Sequence, residues 1–147
     1  MVLLYTWVFL SLLQGAVAGA HAEAFVFATQ LTRLTRQLAT QNPDLALARA
    51  AARAPDWTSG TRLAESIRAF IDEHGRRGLA RGAVIVVLSD GWAQDDPALV
   101  GLQMARLRRL AYSIVWVNPR KAALGYAPLA GGMAAALPYC DAWTPTA

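Results

Sequence analysis

The residues of this chain with chemical potential are oxygen donors. Ser89-Asp90-Gly91 closes an unbroken apolar run, Ala83-Val84-Ile85-Val86-Val87-Leu88, and Thr58-Ser59-Gly60-Thr61 supplies hydroxyls just ahead of an amphipathic segment. A carboxylate, hydroxyls and water suit a hard cation such as Mg²⁺, which keeps several waters of its own. Thr61 and Asp90 are the candidate metal ligands, and two protein ligands alone bind weakly. The plainer roles of the same residues are a turn at Asp90-Gly91 and a helix N-cap at Thr61.

Other chemistries lack their residues. There is no Gly-x-x-x-x-Gly-Lys phosphate loop and no Gly-x-Gly-x-x-Gly fingerprint. No Gly-x-Ser-x-Gly elbow is present, which argues against a serine hydrolase. His21 and His74 are the only histidines, and neither has the spacing of a zinc site. Cys140 is the single cysteine, set in Leu137-Pro138-Tyr139-Cys140, so it reads as a buried structural thiol. An enzyme reading survives as an alternative: a small α/β hydrolase or phosphotransfer protein using Asp90. Its nucleophile or base would have to come from Thr29, Thr61 or Asn118, none with an evident activator.

The elements that must position these residues alternate. Ala83–Leu88 reads as a strand buried on both faces, as parallel strands do, with Asp90 just past its carboxyl end, where open α/β sheets place ligands. Leu63, Ile67, Phe70 and Ile71 form one face of a helix that begins near Thr61 and ends at His74-Gly75. Asn42-Pro43 and Asp96-Pro97 each start a helix by cap-then-proline logic. Val100, Met104, Leu107 and Ala111 make the buried stripe of the second of these. Tyr112–Val117 is a further buried strand, 128–137 a short helix, and 140–144 a last edge strand. An earlier strand is expected at Ala24–Ala28, followed by a polar stretch from Thr29 to Arg36. This order predicts a doubly wound, mostly parallel sheet with helices on both faces. Thr29, Asp90 and Asn118 should then converge on one edge, joined by Thr61.

The 147 residues suggest one domain, and 55% hydrophobic residues are ample for a core. The formal charge of +4 is carried almost wholly by arginine, with clusters at 76, 77, 81 and at 106, 108, 109. These read as solvated helix ends. No aromatic residue interleaves with them, so a nucleic-acid platform is not indicated. At the start, Val2–Leu13 is nearly all apolar and Ala20-His21-Ala22 resembles a signal-peptidase site. No Lys or Arg precedes that run, and it is short for a membrane span. The two readings are a cleaved leader, with a mature start near Glu23, and a buried helix; the helix is the one taken here.

Trp57-Thr58-Ser59-Gly60-Thr61-Arg62, Leu88-Ser89-Asp90-Gly91-Trp92, Phe27-Ala28-Thr29-Gln30-Leu31-Thr32, Trp116-Val117-Asn118-Pro119 and Tyr126-Ala127-Pro128-Leu129 together resemble the von Willebrand factor A (VWA) domain, in its bacterial CoxE-like group. The resemblance implies a metal-ion-dependent adhesion site, built in that family from an Asp-x-Ser-x-Ser loop, a Thr and an Asp. Thr61 and Asp90 match the last two. No Asp-x-Ser-x-Ser occurs in this chain. In the family it precedes the helix matching Tyr5–Val17, so the expectation is one VWA-like domain over 1–147, truncated at its N-terminus, with Mg²⁺ weak or absent. Thr29, Ser59 and Asn118 are the expected partner-contacting residues. The resemblance further implies a non-catalytic, cytoplasmic accessory factor. It would act with a MoxR-type AAA+ ATPase in maturation of a molybdenum hydroxylase such as carbon monoxide dehydrogenase, without nucleic acid or stable membrane insertion.

Overall fold

A computed structural model describes residues 3–55, 61–118 and 131–145. The chain forms two compact units, Met1–Gly60 and Thr61–Ala147.

The first unit opens with helix α1 (Leu3–Ala20). Among the described residues no helix is long and apolar enough to cross a membrane. Strand β1 (Phe25–Phe27) pairs antiparallel with β2 (Leu31–Arg33), Val26 opposite Thr32. The polar stretch expected after Ala28 therefore folds back on itself. Its Leu-Thr-Arg triplet has the period of a strand, with Thr32 buried and Arg33 exposed, and closing so short a hairpin loop costs little chain entropy. Two short helices follow, α2 (Thr35–Leu38) and α3 (Pro43–Arg53). Asn42 caps α3 as its sequence predicts, accepting from the N–H groups of Asp44 and Leu45. Glu23 holds the hairpin to α2 by accepting from the Arg33 guanidinium and the Thr35 hydroxyl, each at 2.6 Å. Leu10, Val17, Leu34, Leu38, Leu47 and Ala50 form the core of this unit.

The second unit carries the candidate chemistry. Helix α4 (Leu63–Phe70) runs on as a wider π-type turn over Ile71–Leu79. The helix does not end at Gly75. Gly75 is buried inside it, where a side chain would lie 3.3 Å from Ala80 Cβ, and the left-handed residue is Gly78, at φ +118°. Strand β3 (Val84–Leu88), helix α5 (Pro97–Arg108) and strand β4 (Ser113–Asn118) follow as expected. Helix α6 (Gly131–Ala136), a 3₁₀ turn and strand β5 (Ala142–Pro145) complete the unit. The three strands are parallel, in the order β3-β4-β5. This is the α/β architecture that the alternating sequence implies.

Helix α5 packs against both α4 and α6. Val100, Met104 and Leu107 of its expected stripe are buried, as are Ile114 and Trp116 on β4, whereas Ala111 falls beyond the helix end at Arg108 and is half-buried. Strand β3 lies at an edge of the described sheet. Val84 and Val86 alternate off the covered face and are 58% and 55% exposed, so the strand is not buried on both faces as its composition predicts.

Candidate functional site

Parallel register brings Leu88 opposite Val117, and the ladder is extended by the Ser89 N–H donating to the Val117 carbonyl at 3.1 Å. The ends of β3 and β4 therefore lie side by side at the carboxyl edge of the sheet. Ser89-Asp90-Gly91 turns away sharply there. The Ser89 hydroxyl accepts from the Gly91 N–H, Asp90 Oδ1 accepts from the Trp92 N–H, both at 3.1 Å, and Gly91 stands at φ +80°. The turn role and the sheet-edge position of Asp90 are thus both realised. The Trp116 indole N–H donates to the Ser89 carbonyl at 2.7 Å, fixing the loop from below.

The loop is clamped on its other side by glycines. A Cβ on Gly91 would sit 2.5 Å from Met133 Cβ, and one on Gly132 would sit 2.5 Å from the Gly91 carbonyl oxygen. These two residues let α6 and the Asp90 loop touch backbone to backbone, an approach only glycine permits.

Thr61 is brought to the same edge through its backbone, its carbonyl accepting from the Gln94 N–H at 2.8 Å. It is not the cap of α4. The first free N–H groups of that helix, on Leu63 and Glu65, donate instead to the two carboxylate oxygens of Asp95, at 3.0 and 3.1 Å. A charged, bidentate acceptor outcompetes a neutral hydroxyl at a helix N-terminus. Sequence reasoning missed Asp95 because its neighbour Asp96 explains the start of α5, where it accepts from the Ala98 N–H at 2.9 Å.

Asn118 ends β4 and is fully buried, so it supports the edge from within. Thr29 lies in the β1–β2 hairpin turn of the first unit, not at the end of a parallel strand, because the strand it follows pairs antiparallel. Ser59 lies outside the described residues. Trp92 is the residue the sequence did not single out: it follows the Asp90 turn directly and is 64% exposed. Beside this edge a groove of about 510 Å³ is lined by Arg62, Glu65, Arg68, Asp95, Leu99 and Gln103. Within it Arg68 pairs with Glu65, and that hydrogen bond holds the Glu65 carboxyl below its ordinary value.

Thr61 and Asp90 offer a hydroxyl and a carboxylate, the right donor types for Mg²⁺. Among the described residues no three His, Cys, Asp or Glu side chains gather as a metal group would require. Mg²⁺ completes about six oxygens largely with its own waters, and this pair supplies at most two protein ligands.

A parallel α/β sheet whose carboxyl edge presents a Ser-Asp-Gly turn, with a threonine at the start of an adjoining helix, defines a Rossmann-like class of domain. Within that class the match is specific. Residues 2–147 fit the family model of VWA domain containing CoxE-like proteins, and the chain belongs to that family. No curated protein and no solved structure matches the chain.

Proposed function

We propose that this chain is a non-catalytic protein-interaction module, a CoxE-like accessory factor acting in the cytoplasm with a MoxR-type AAA+ ATPase. Its task would be maturation of a molybdenum hydroxylase such as carbon monoxide dehydrogenase. Family membership across nearly the whole chain supports the module and, by likeness, the task. The observation that carries the binding edge is the pairing of a braced Asp90 turn with the exposed indole of Trp92. Exposed tryptophan beside a rigid polar turn is the composition of an interface anchor rather than of a solvated loop. Contact at this edge runs through Trp92, Asp90 and the groove beyond Arg62, with Thr61 and any metal in a subsidiary place.

The test is binding of the full chain to a purified MoxR-type ATPase, by size-exclusion chromatography and calorimetry, with Mg²⁺ and with EDTA. Trp92→Ala and Asp90→Ala should each weaken the complex by about tenfold or more, the range of interface anchors. No complex with the ATPase, or an unaffected complex in both variants, refutes the proposal. A phosphatase or esterase activity abolished by Asp90→Asn would replace it with an enzyme.

A further inference from the structure

Six of the arginines of the second unit fall into two groups. Arg68 pairs with Glu65, Arg106 with Asp72 at 2.7 Å, and Arg108 with Asp141 at 2.8 Å. Arg77, Arg81 and Arg109 are exposed, and no described carboxylate pairs with any of them. These three are gathered by the backbone. The Gly82 N–H donates to the Leu110 carbonyl at 2.9 Å, so Arg81 and Arg109 each stand one residue from the same hydrogen bond. Chain geometry keeps their Cα atoms within about 12 Å, inside the reach of two guanidiniums for one ligand. A side chain at Gly75 would lie 3.8 Å from Leu110 Cδ1, which brings the segment leading to Arg77 alongside. The Tyr112 N–H donates to the Ala83 carbonyl at 2.9 Å, which sets this residue, 76% exposed, next to the Gly82–Leu110 junction. The arginine cluster thus does gain an aromatic neighbour, through the fold. All four residues precede β3 or β4, at the amino-terminal edge of the sheet, away from Asp90.

We propose that Arg77, Arg81, Arg109 and Tyr112 form a second docking surface, which takes a short acidic segment of a partner protein. Guanidinium forks match carboxylates bidentately, and Arg with Tyr is the composition of interface centres. Asp72 and Asp141 on this edge pair with Arg106 and Arg108, and Glu73 lies beside His74, which leaves the corner with surplus positive charge. A short acidic segment matches a patch of three guanidiniums whose neighbouring carboxylates, Asp72 and Asp141, are already paired. The proposal needs neither a metal nor the partner named above.

The probe is a fluorescein-labelled Glu-rich decapeptide, titrated with the full chain by anisotropy at about 50 and about 150 mM salt. It should bind saturably and more weakly at the higher salt. Arg81→Glu with Arg109→Glu should lower affinity by about tenfold or more, and Tyr112→Ala by about threefold. The control Arg49→Gln, an exposed arginine of α3 in the first unit, should change it by less than about twofold. Circular dichroism verifies each fold, and Arg81→Gln with Arg109→Gln serves if the reversals unfold the chain. Absent peptide binding, or an equal loss in the control, overturns the proposal. So does tighter binding of a single-stranded oligonucleotide of equal charge, abolished by the same double variant, which would make the corner a nucleic-acid surface.

Discussion

Gly91→Ala tests the clamp on the Asp90 loop. Two separate penalties follow from its position. At φ +80° an alanine adopts a left-handed backbone, which costs about 1–2 kcal/mol. Its Cβ also meets Met133 Cβ at 2.5 Å and the Met133 N at 2.9 Å, so α6 must move or the loop must tilt. Overpacking of this kind costs about 1–3 kcal/mol, for a sum of about 2–5 kcal/mol. That is a large part of the roughly 5–15 kcal/mol a domain possesses. Gly82→Ala separates the two effects: it has the same left-handed backbone, φ +71°, with nothing within 4 Å of the new methyl. It should lose only the first penalty. Urea unfolding read by far-ultraviolet circular dichroism gives both values. The Trp116 indole N–H resonance reports on the loop directly, through its bond to the Ser89 carbonyl. With a urea slope of about 1–3 kcal/mol per molar, the two midpoints should differ by about 1 M. Equal losses in the two variants, with the indole resonance unmoved in Gly91→Ala, would refute the backbone clamp.

Asp95→Ala should cost about 1–2 kcal/mol by removing the acceptor of the Leu63 and Glu65 N–H groups, and Thr61→Ala much less, in the same urea assay; a larger loss for Thr61→Ala would restore threonine as the cap. The backbone N–H of Ile114, with help from Arg108, holds the Asp141 carboxyl below its ordinary 3.8. Its stabilising effect is therefore complete above that value and lost as pH falls through the folded value. Acid titration of stability should be shallower below about pH 4 in Asp141→Asn, and an unchanged titration would remove that residue from the account. Burial, reinforced by Asp141, pushes the Cys140 thiol up to about 11. Alkylation by iodoacetamide at pH 8 should run about a hundredfold slower than for a free thiol and quicken through pH 10. Rapid labelling at pH 8 would show an accessible thiolate.

Much of this protein was legible in its residues because the determining interactions are local. Asn42-Pro43 and Asp96-Pro97 cap their own helices within three residues. The stripe at 100, 104 and 107 follows from periodicity, and the strands found at 84–88 and 113–118 follow, within a residue, from the apolar runs at 83–88 and 112–117. Ser-Asp-Gly makes its own turn, so Asp90 could be placed at a sheet edge from sequence alone. The expectations that failed involve partners distant in the chain. Thr61 yielded its capping role to Asp95 because a carboxylate some thirty residues later reaches the same N–H groups. The helix passed through Gly75 because Ala80 and Leu110 fill the space a side chain would take, and the break moved to Gly78. Thr29 left the parallel sheet when Leu31–Arg33 folded back on Phe25–Phe27, a choice between two pairings that strand propensity does not distinguish. Val84 and Val86 have the composition of doubly buried residues, yet which face of a strand is covered depends on what packs on it. Trp92 became a candidate contact only when its exposure was known. Sequence by itself determined the order of helices and strands, the caps and the oxygen chemistry of the Asp90 turn, since these are fixed by neighbours along the backbone. Tertiary structure alone decided which arginines are neutralised, which residue caps α4 and which glycines admit α6 against the loop. Each of those outcomes depends on distances between chain segments that no local pattern encodes.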